Sequence, residues 1–254
     1  MNEVKKIICN WKMNGSKELI NTICNHLLAS KTTIFNNGKS LTLCPPVIYA
    51  SYLSDVLMQS GLKQVVSSGV QNIFYKDCGA FTGEISPLML KDFGIDYAII
   101  GHSERRGIFE ESNTLISLKL QAALKAGVKP VLCIGEVHED FINGRIKDVL
   151  MTQLDVLQSI DAKLLTLDNF IIAYEPVWAI GTGLVASGEQ ILQAHTFITS
   201  YVKALGFAVK PSILYGGSVN EANAGQILSI ANVDGLLIGG ASLDPVKLIS
   251  IMQA

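Results

Sequence analysis

Cysteine is scarce in this 254-residue chain and does not pair. The five cysteines, Cys9, Cys24, Cys44, Cys78 and Cys133, are an odd number with no short repeated spacing. That pattern argues against a disulfide framework and a zinc site, and it fits a reducing, cytoplasmic setting. An excess of charge of one sign is lacking too: 20 Lys and Arg stand against 22 Asp and Glu, for a formal net charge of -2. No nucleic-acid or membrane partner is expected from such a balance, and any attraction for an anion must be local. No apolar run approaches the roughly 20 residues of a membrane span. The start, Met1 to Lys6, is charged, and Ile7-Ile8-Cys9 is too short for a signal-peptide core, so no targeting segment is expected. No linker or low-complexity stretch divides the chain. Also missing are a metal-ligand cluster, a nucleophile elbow and a dinucleotide-binding glycine loop.

What is present is apolar and regularly punctuated. Hydrophobic residues make up 49% of the chain and charged residues 17%, enough to bury a large core. Eight short, continuous apolar runs read as strands buried on both faces: Lys6–Trp11, Leu41–Cys44, Gln64–Ser67, Tyr97–Gly101, Pro130–Ile134, Phe170–Tyr174, Ser212–Tyr215 and Gly235–Ile238. Helical patterns lie between them. Leu19, Ile23 and Leu27 step by four, and Ile191, Ile198, Val202 and Leu205 share one face. Ser86-Pro87 reads as an N-cap followed by a first-turn proline, and Ser187 with Gln190 has capping-box spacing. Alternating strands and helices imply right-handed crossovers and a parallel sheet. Eight such units close into a (β/α)8 barrel of the α/β class, a single domain over residues 1–254. An open doubly wound sheet is the competing arrangement. It would put a glycine-rich loop after the first strand, where this chain has Asn10-Trp11-Lys12-Met13-Asn14-Gly15.

In a closed barrel the carboxyl ends of the strands form one ring, so residues distant in sequence meet there. Glu175 follows the sixth strand, and burial there would raise its pKa and strengthen it as a base. Asn10 and Lys12 follow the first strand, two residues apart and so on one face. His102 follows the fourth strand just before a helix start, whose positive end would favour the neutral imidazole. Glu104 would face inward and pair with Lys12, while Arg105 and Arg106 read as an ion-pair cluster. His26, His138 and His195 fall in or near helical segments and read as structural. Gly181 and Gly183 in the sixth loop, Gly216-Gly217-Ser218 after strand seven and Gly239-Gly240 after strand eight suit an anion cradle of backbone amides. Each residue alone has an ordinary reading as a cap, a surface cation or a turn glycine. Together they support proton abstraction beside a carbonyl on a small phosphorylated substrate, with neutral donors and a cation stabilising an enediolate, and without metal.

These strings also resemble the triosephosphate isomerase family over essentially the whole chain. The resemblance rests on Asn10 to Gly15, Gly79 to Ser86, Gly101 to Arg106, Cys133 to Glu136, Tyr174 to Gly183, Tyr215 to Val219 and Gly239 to Ser242. It implies a TIM barrel that interconverts dihydroxyacetone phosphate and glyceraldehyde 3-phosphate in glycolysis and gluconeogenesis, with no cofactor. By the family pattern Glu175 is the base, His102 the electrophile, Lys12 an electrostatic contact and Asn10 a hydrogen-bond donor to substrate. This family is itself the known example of a neutral histidine paired with a glutamate base, so that pairing is carried over rather than derived. Glu104 matches a further active-site carboxylate, Pro176 to Thr182 the mobile lid, and Gly181, Ser218, Gly239 and Gly240 the phosphate contacts. The stretch Gln71 to Ser86 resembles a loop that enters a neighbouring subunit, with Thr82 near the partner's site, which implies a homodimer. Its apolar residues Ile73, Phe74, Tyr75 and Phe81 read as exposed. Three positions depart from the pattern: Leu184-Val185 where many members carry Lys-Thr, Cys9 for glycine, and Ser212 for arginine. Two other readings stand beside the isomerase, a different phosphate-binding barrel enzyme and a non-catalytic homologue kept for binding.

Overall fold

The strands pair in the order expected of strand-helix repetition. The computed structural model describes residues 4–36, 38–165, 169–181, 184–207 and 210–254. The strands are β1 (Lys5–Asn10), β2 (Lys39–Cys44), β3 (Val66–Val70), β4 (Tyr97–Ile100), β5 (Lys129–Ile134), β6 (Ile171–Tyr174), β7 (Ser212–Tyr215) and β8 (Gly235–Ile238). Around them run α1 (Lys17–Ala29), α2 (Lys31–Ile34), α3 (Val47–Gln59), α4 (Pro87–Asp92), α5 (Ser103–Ile108), α6 (Asn113–Lys125), α7 (His138–Ile142), α8 (Ile146–Leu154), α9 (Gly188–Ala204), α10 (Ala224–Leu228) and α11 (Pro245–Gln253). The sheet is a closed barrel, β1 through β8 in order, with β1 parallel to both β2 and β8. None of the described helices is long and apolar enough to cross a membrane.

Burial on both faces of each strand explains why the apolar runs are continuous. Ile8, Cys44, Ile99, Val131, Cys133, Ile171, Ala173, Leu214 and Leu237 point inward and form one cluster inside the barrel. Their neighbours in sequence, such as Ile7, Leu43, Ile100 and Ile172, join the larger layer between strands and helices. Helix starts follow the expected chemistry. Ser86 Oγ accepts the Met89 N–H, and Ser187 and Gln190 make both bonds of a capping box. Ser212 accepts from Lys6 Nζ at 2.8 Å.

Some expected boundaries shift, for physical reasons. The third strand does not start at Gln64. Gly61, left-handed at φ 70°, opens a 3-10 turn over Leu62–Gln64, and the strand runs from Val66 to Val70. It continues through Gly69 because that position has no space: a Cβ there would lie 2.6 Å from Cys44 Sγ. On α1 the buried stripe is Ile20, Ile23, Cys24 and Leu27, with Leu19 at its half-buried flank. Leu205 caps α9 rather than continuing it. In the loop from Gln71 to Ser86, Ile73 is buried in the core, against the expected exposure. Phe74 and Tyr75 are half-buried, with ring centroids 4.4 Å apart, and Phe81 packs on Phe74 at 4.7 Å.

His195 is a structural histidine, as its place on a helix suggested. It is fully buried on α9, its Nδ1 lies 2.9 Å from the Asn232 carbonyl, and Nε2 has no partner. Burial pushes its pKa down to about 4, against the opposing pull of the Asn232 carbonyl and Asp234. The unfolded chain therefore takes up this proton first, near pH 6.5, and stability falls from there until the folded form is protonated near pH 4. From the pKa difference this one group removes up to about 3 kcal/mol across that window. His195→Phe should lower stability at pH 7 yet flatten the decline between pH 7 and pH 4.5. Urea unfolding at both values checks this, and an unchanged slope would sink the assignment.

Candidate active site

At the carboxyl end of β1, Asn10 is buried and its Oδ1 accepts the backbone N–H of Lys12 at 3.0 Å. Strand alternation does not bring these two together, because β1 stops at Asn10. Lys12 lies beyond it in the left-handed region, φ 54°, and the Asn10 side chain holds it there. Such a conformation costs a non-glycine residue about 1–2 kcal/mol, offset here by local bonding. Gln71 Nε2 adds to this by donating to the carbonyls of both Lys12 and Cys44 at 2.9 Å. Lys12 Nζ meets Glu104 Oε1 at 2.5 Å, the ion pair the sequence suggested. Arg105 pairs with Glu111 at 2.6 Å. Arg106 differs from its expected role in an ion-pair cluster. It donates to the Gly101 and Cys133 carbonyls and to Asn113, tying the ends of β4 and β5 together.

His102 caps α5, and its Nδ1 accepts the Glu104 N–H at 3.2 Å. That bond requires a lone pair on Nδ1, so the ring proton sits on Nε2, which faces Glu175 Oε1 at 3.1 Å. Glu175 is 2% exposed, and its Oε2 accepts the Ser103 N–H at 3.2 Å. Both expected pKa directions are reversed in this arrangement. Burial alone raises the Glu175 carboxyl, but the charge and hydrogen bond of His102, the Ser103 N–H and the Cys133 thiol outweigh it and hold the value below the ordinary range. Burial lowers His102, but the charge and hydrogen bond of Glu175, with Glu104 behind, hold it above its ordinary value. The sequence argument weighed a helix end and burial for each residue alone; burial is the largest single influence on both, but the contacts between the two residues and with their neighbours together reverse its direction.

Asn10, Lys12, His102, Glu175, Gly181, Gly216, Gly217, Ser218, Gly239 and Gly240 line one cavity of about 320 Å³. Gly239 precedes a 3-10 turn over Gly240–Leu243, whose leading amides have no acceptor within the turn. Ser218 reaches the cavity too, but its N–H and Oγ both donate to the Ala179 carbonyl, at 3.1 and 2.6 Å. Thr182 and Gly183, read from sequence as part of the sixth loop, lie outside the described residues. Glu104 lines a second cavity of about 440 Å³ on the other side of Lys12, with Met13, Gln71 and Phe109. Thr82 is exposed and lines neither cavity. Among the described residues, no group of three or more His, Cys, Asp or Glu side chains could hold a metal ion.

Glu136 is the functional residue that sequence reasoning quoted but gave no role. It is fully buried, and its Oε1 accepts from Trp178 Nε1 at 2.8 Å and from Tyr174 OH at 3.1 Å. Its carbonyl takes the Val177 N–H at 3.0 Å, so it anchors the start of the sixth loop. Burial raises its pKa against these donors. The available signal was a carboxylate two residues beyond the apolar strand β5.

A ring of this composition on a closed eight-stranded barrel can be compared with known proteins. A family profile described as Triosephosphate isomerase matches residues 5–254. The chain belongs to the triosephosphate isomerase family. It is 42% identical over 254 residues to a protein named Triosephosphate isomerase from Thermodesulfovibrio yellowstonii, covering 98% of each chain. A Triosephosphate isomerase from Francisella tularensis subsp. mediasiatica is 43% identical over 98% of this chain and 96% of its own. One from Francisella philomiragia subsp. philomiragia is 44% identical over 94% and 92%. Within this triosephosphate isomerase fold, Trp178→Phe tests the loop anchor by removing a donor from a buried carboxylate. It should cost about 1–3 kcal/mol in urea unfolding at pH 7. A loss below about 0.5 kcal/mol, the usual scale of a neutral surface change, would show that the bond to Glu136 is immaterial.

Proposed function

We propose that this chain is a triose-phosphate isomerase, interconverting dihydroxyacetone phosphate and D-glyceraldehyde 3-phosphate through an enediolate, a step of glycolysis and gluconeogenesis. One observation carries the reading: Glu175, His102, Asn10, Lys12 and the glycines after β7 and β8 line the same cavity. The substrate phosphate binds among the backbone amides of Gly181, Gly239 and Gly240 and, once Ser218 releases the Ala179 carbonyl, that of Ser218, and Lys12 supplies the positive charge. Glu175 removes a proton from C1 of dihydroxyacetone phosphate, and the electron pair moves onto the C2 oxygen. The Nε2–H of His102 stabilises that oxygen, and Asn10 contributes a donor. His102 then moves a proton between the two oxygens, and Glu175 returns its proton at C2. No metal or cofactor is needed for these transfers. Glu104 takes part through Lys12, whose ammonium it holds at 2.5 Å.

The pKa directions of the paired residues fit this sequence. A substrate seated between Glu175 and His102 separates the pair. Burial, the largest influence on each, is left less opposed, so the carboxylate becomes a stronger base and the imidazole is pushed toward its neutral form. The region Pro176 to Thr182 acts as a lid, and the bonds from Ala179 to Ser218 hold part of it against the cavity rim. Lid closure is a known property of this family. The non-catalytic reading is disfavoured because the base and its donors are intact.

We also read the protein as one domain, cytoplasmic and homodimeric. Met13 is 96% exposed, and Val47, Ile48, Phe81, Ile108 and Phe109 are exposed beside it or on the Gln71 to Ser86 loop. Lys12, Met13, Val47 and Phe109 border one cavity, so a partner's loop tip at Thr82 would seal it and shield the Lys12–Glu104 pair.

Glyceraldehyde 3-phosphate added to the pure protein with chelator present should give dihydroxyacetone phosphate, followed with a coupled dehydrogenase. Glu175→Gln should cut turnover by about 10²-fold or more while keeping affinity for inorganic phosphate. A variant that turns over at a tenth of the parent rate or better, judged against the usual scale of general-base catalysis of roughly 10²–10⁴-fold, would falsify the base assignment. Light scattering should report twice the chain mass at micromolar concentration. A monomer mass would remove the proposed interface.

A further inference from the structure

The position of Glu175 is set by its own strand, β6, and by the end of β5, where the ladder runs out. The last β5–β6 pair is Ile134 with Tyr174, and the Glu175 N–H donates to the Ile134 carbonyl at 2.7 Å. The next residue on β5, Gly135, touches the Glu175 backbone directly: a Cβ on Gly135 would fall 1.7 Å from the Glu175 carbonyl oxygen. Glycine is therefore required there, and where the Gly135 peptide lies decides where the Glu175 peptide can lie.

Gly135 is fixed by one side chain from outside the barrel. Gln153, on α8, accepts the Gly135 N–H through Oε1 at 2.7 Å and donates from Nε2 to the Gly135 carbonyl at 3.1 Å. The amide thus supplies both hydrogen bonds that a further strand residue would have made. Adjoining this contact is a cavity of about 250 Å³ lined by Gln153, Gly135, Cys133, Glu175 and Val177. It gives the Gly135–Glu175 contact room to retreat when the clamp is released. Glu136, one residue on, holds Trp178 and the Val177 N–H, so the same clamp also steadies the start of the lid. Arg106 faces this cavity, and Arg145 and Asp148 lie with Gln153 on its outer side.

We propose that Gln153 is a positioning residue of the isomerase reaction: its two-point bond to Gly135 holds the end of β5 against Glu175 and keeps that carboxylate within reach of the substrate carbon. This rests on Glu175 being the base. Gln153 touches no substrate and acts only through the backbone of Gly135. A misplacement of about 1 Å at a catalytic group costs on the order of 10²-fold in rate, so the effect falls on kcat. Lys12 lies just beyond β1, and the cradle residues Ser218, Gly239 and Gly240 follow β7 and β8, away from the clamp, with only Gly181 on the loop that the clamp steadies, so the effect on KM is small.

Two variants test this. Gln153→Met keeps the length of the side chain and makes neither bond. It should lower kcat by about tenfold to a hundredfold, with KM and inhibition by inorganic phosphate within about twofold of the parent. Gln153→Glu adds a readout that a merely structural role would not move. Protonated, its carboxyl can accept the Gly135 N–H and donate to the Gly135 carbonyl as glutamine does. Ionised, it offers two acceptors and repels that carbonyl. The ratio of variant to parent kcat should therefore be low at pH 8 and rise as pH falls toward 5.5. A Gln153→Met kcat within about twofold of the parent, or a Gln153→Glu ratio that does not change with pH, overturns the proposal. If Gln153→Met does not fold, the pH ratio of Gln153→Glu decides alone. Glu175→Gln measured alongside separates the two layers. Retained turnover there refutes the base itself, whereas an inactive Glu175→Gln beside fully active Gln153 variants refutes only the clamp.

Discussion

A carboxylate removed from water is the constraint around which this molecule is arranged. Glu175 is 2% exposed, and an isolated buried charge would protonate or unfold its surroundings. It stays ionised because donors converge on it from other strands: the His102 ring from the end of β4, the Ser103 N–H from the first turn of α5, and the Cys133 thiol from β5. Those donors hold it only if the strand ends hold still. Arg106 ties β4 to β5, and Gln153 ties β5 to α8. Much of what seems to be loop architecture on this face is therefore electrostatics of one residue, carried outward through backbone bonds.

The barrel makes such convergence possible because closure brings sequence-distant strand ends into one ring. Asn10 and Gly240 are separated by nearly the whole chain, yet they line the same cavity. The cost of a polar ring falls on a few positions. Lys12 accepts a left-handed backbone, secured by Asn10, and Glu136 sits fully buried with Trp178 and Tyr174 as donors. For Lys12 the offsetting bond comes from Asn10, two residues back, whereas for Glu136 the donors come from a distant part of the chain that the fold brings close.

This difference explains what could be read from the sequence and what could not. The strands were legible because burial on both faces leaves continuous apolar runs, and Ser86 and Ser187 were legible as caps because capping is local chemistry. The Lys12–Glu104 pair was within reach once strand ends were set in a ring. The start of β3 was not, because the 3-10 turn that Gly61 opens displaces the strand past Gln64, and its run through Gly69 shows only in the packing of Cys44 against that glycine. Ile73 was read as exposed with the other apolar residues of its loop, although it is buried in the core. The pKa directions of Glu175 and His102 were reversed because each was judged from its own surroundings. Their contact joins residues 102 and 175, on different strands, and leaves no local mark. Glu136 and Gln153 were given no role for the same reason: the partners of Glu136 are the Trp178 and Tyr174 side chains and those of Gln153 are the Gly135 backbone groups, all on other elements.

The same contact bears on how the proposed site is both stable and reactive. His102 and Glu175 satisfy each other, which lowers the base strength of the carboxylate and keeps two buried polar groups from being orphaned. A substrate that wedges between them takes over those bonds with its own oxygens and its C–H, and the desolvation that the pair had masked is expressed on the carboxylate. Binding and activation are then one event. On the proposed reading, the energy that prises the pair apart comes from the phosphate, seated at β7 and β8 where no bond of the pair is involved. A ligand with the carbonyl but no phosphate would have to break the His102–Glu175 contact with nothing in return, so the phosphate contributes to the rate and not only to affinity.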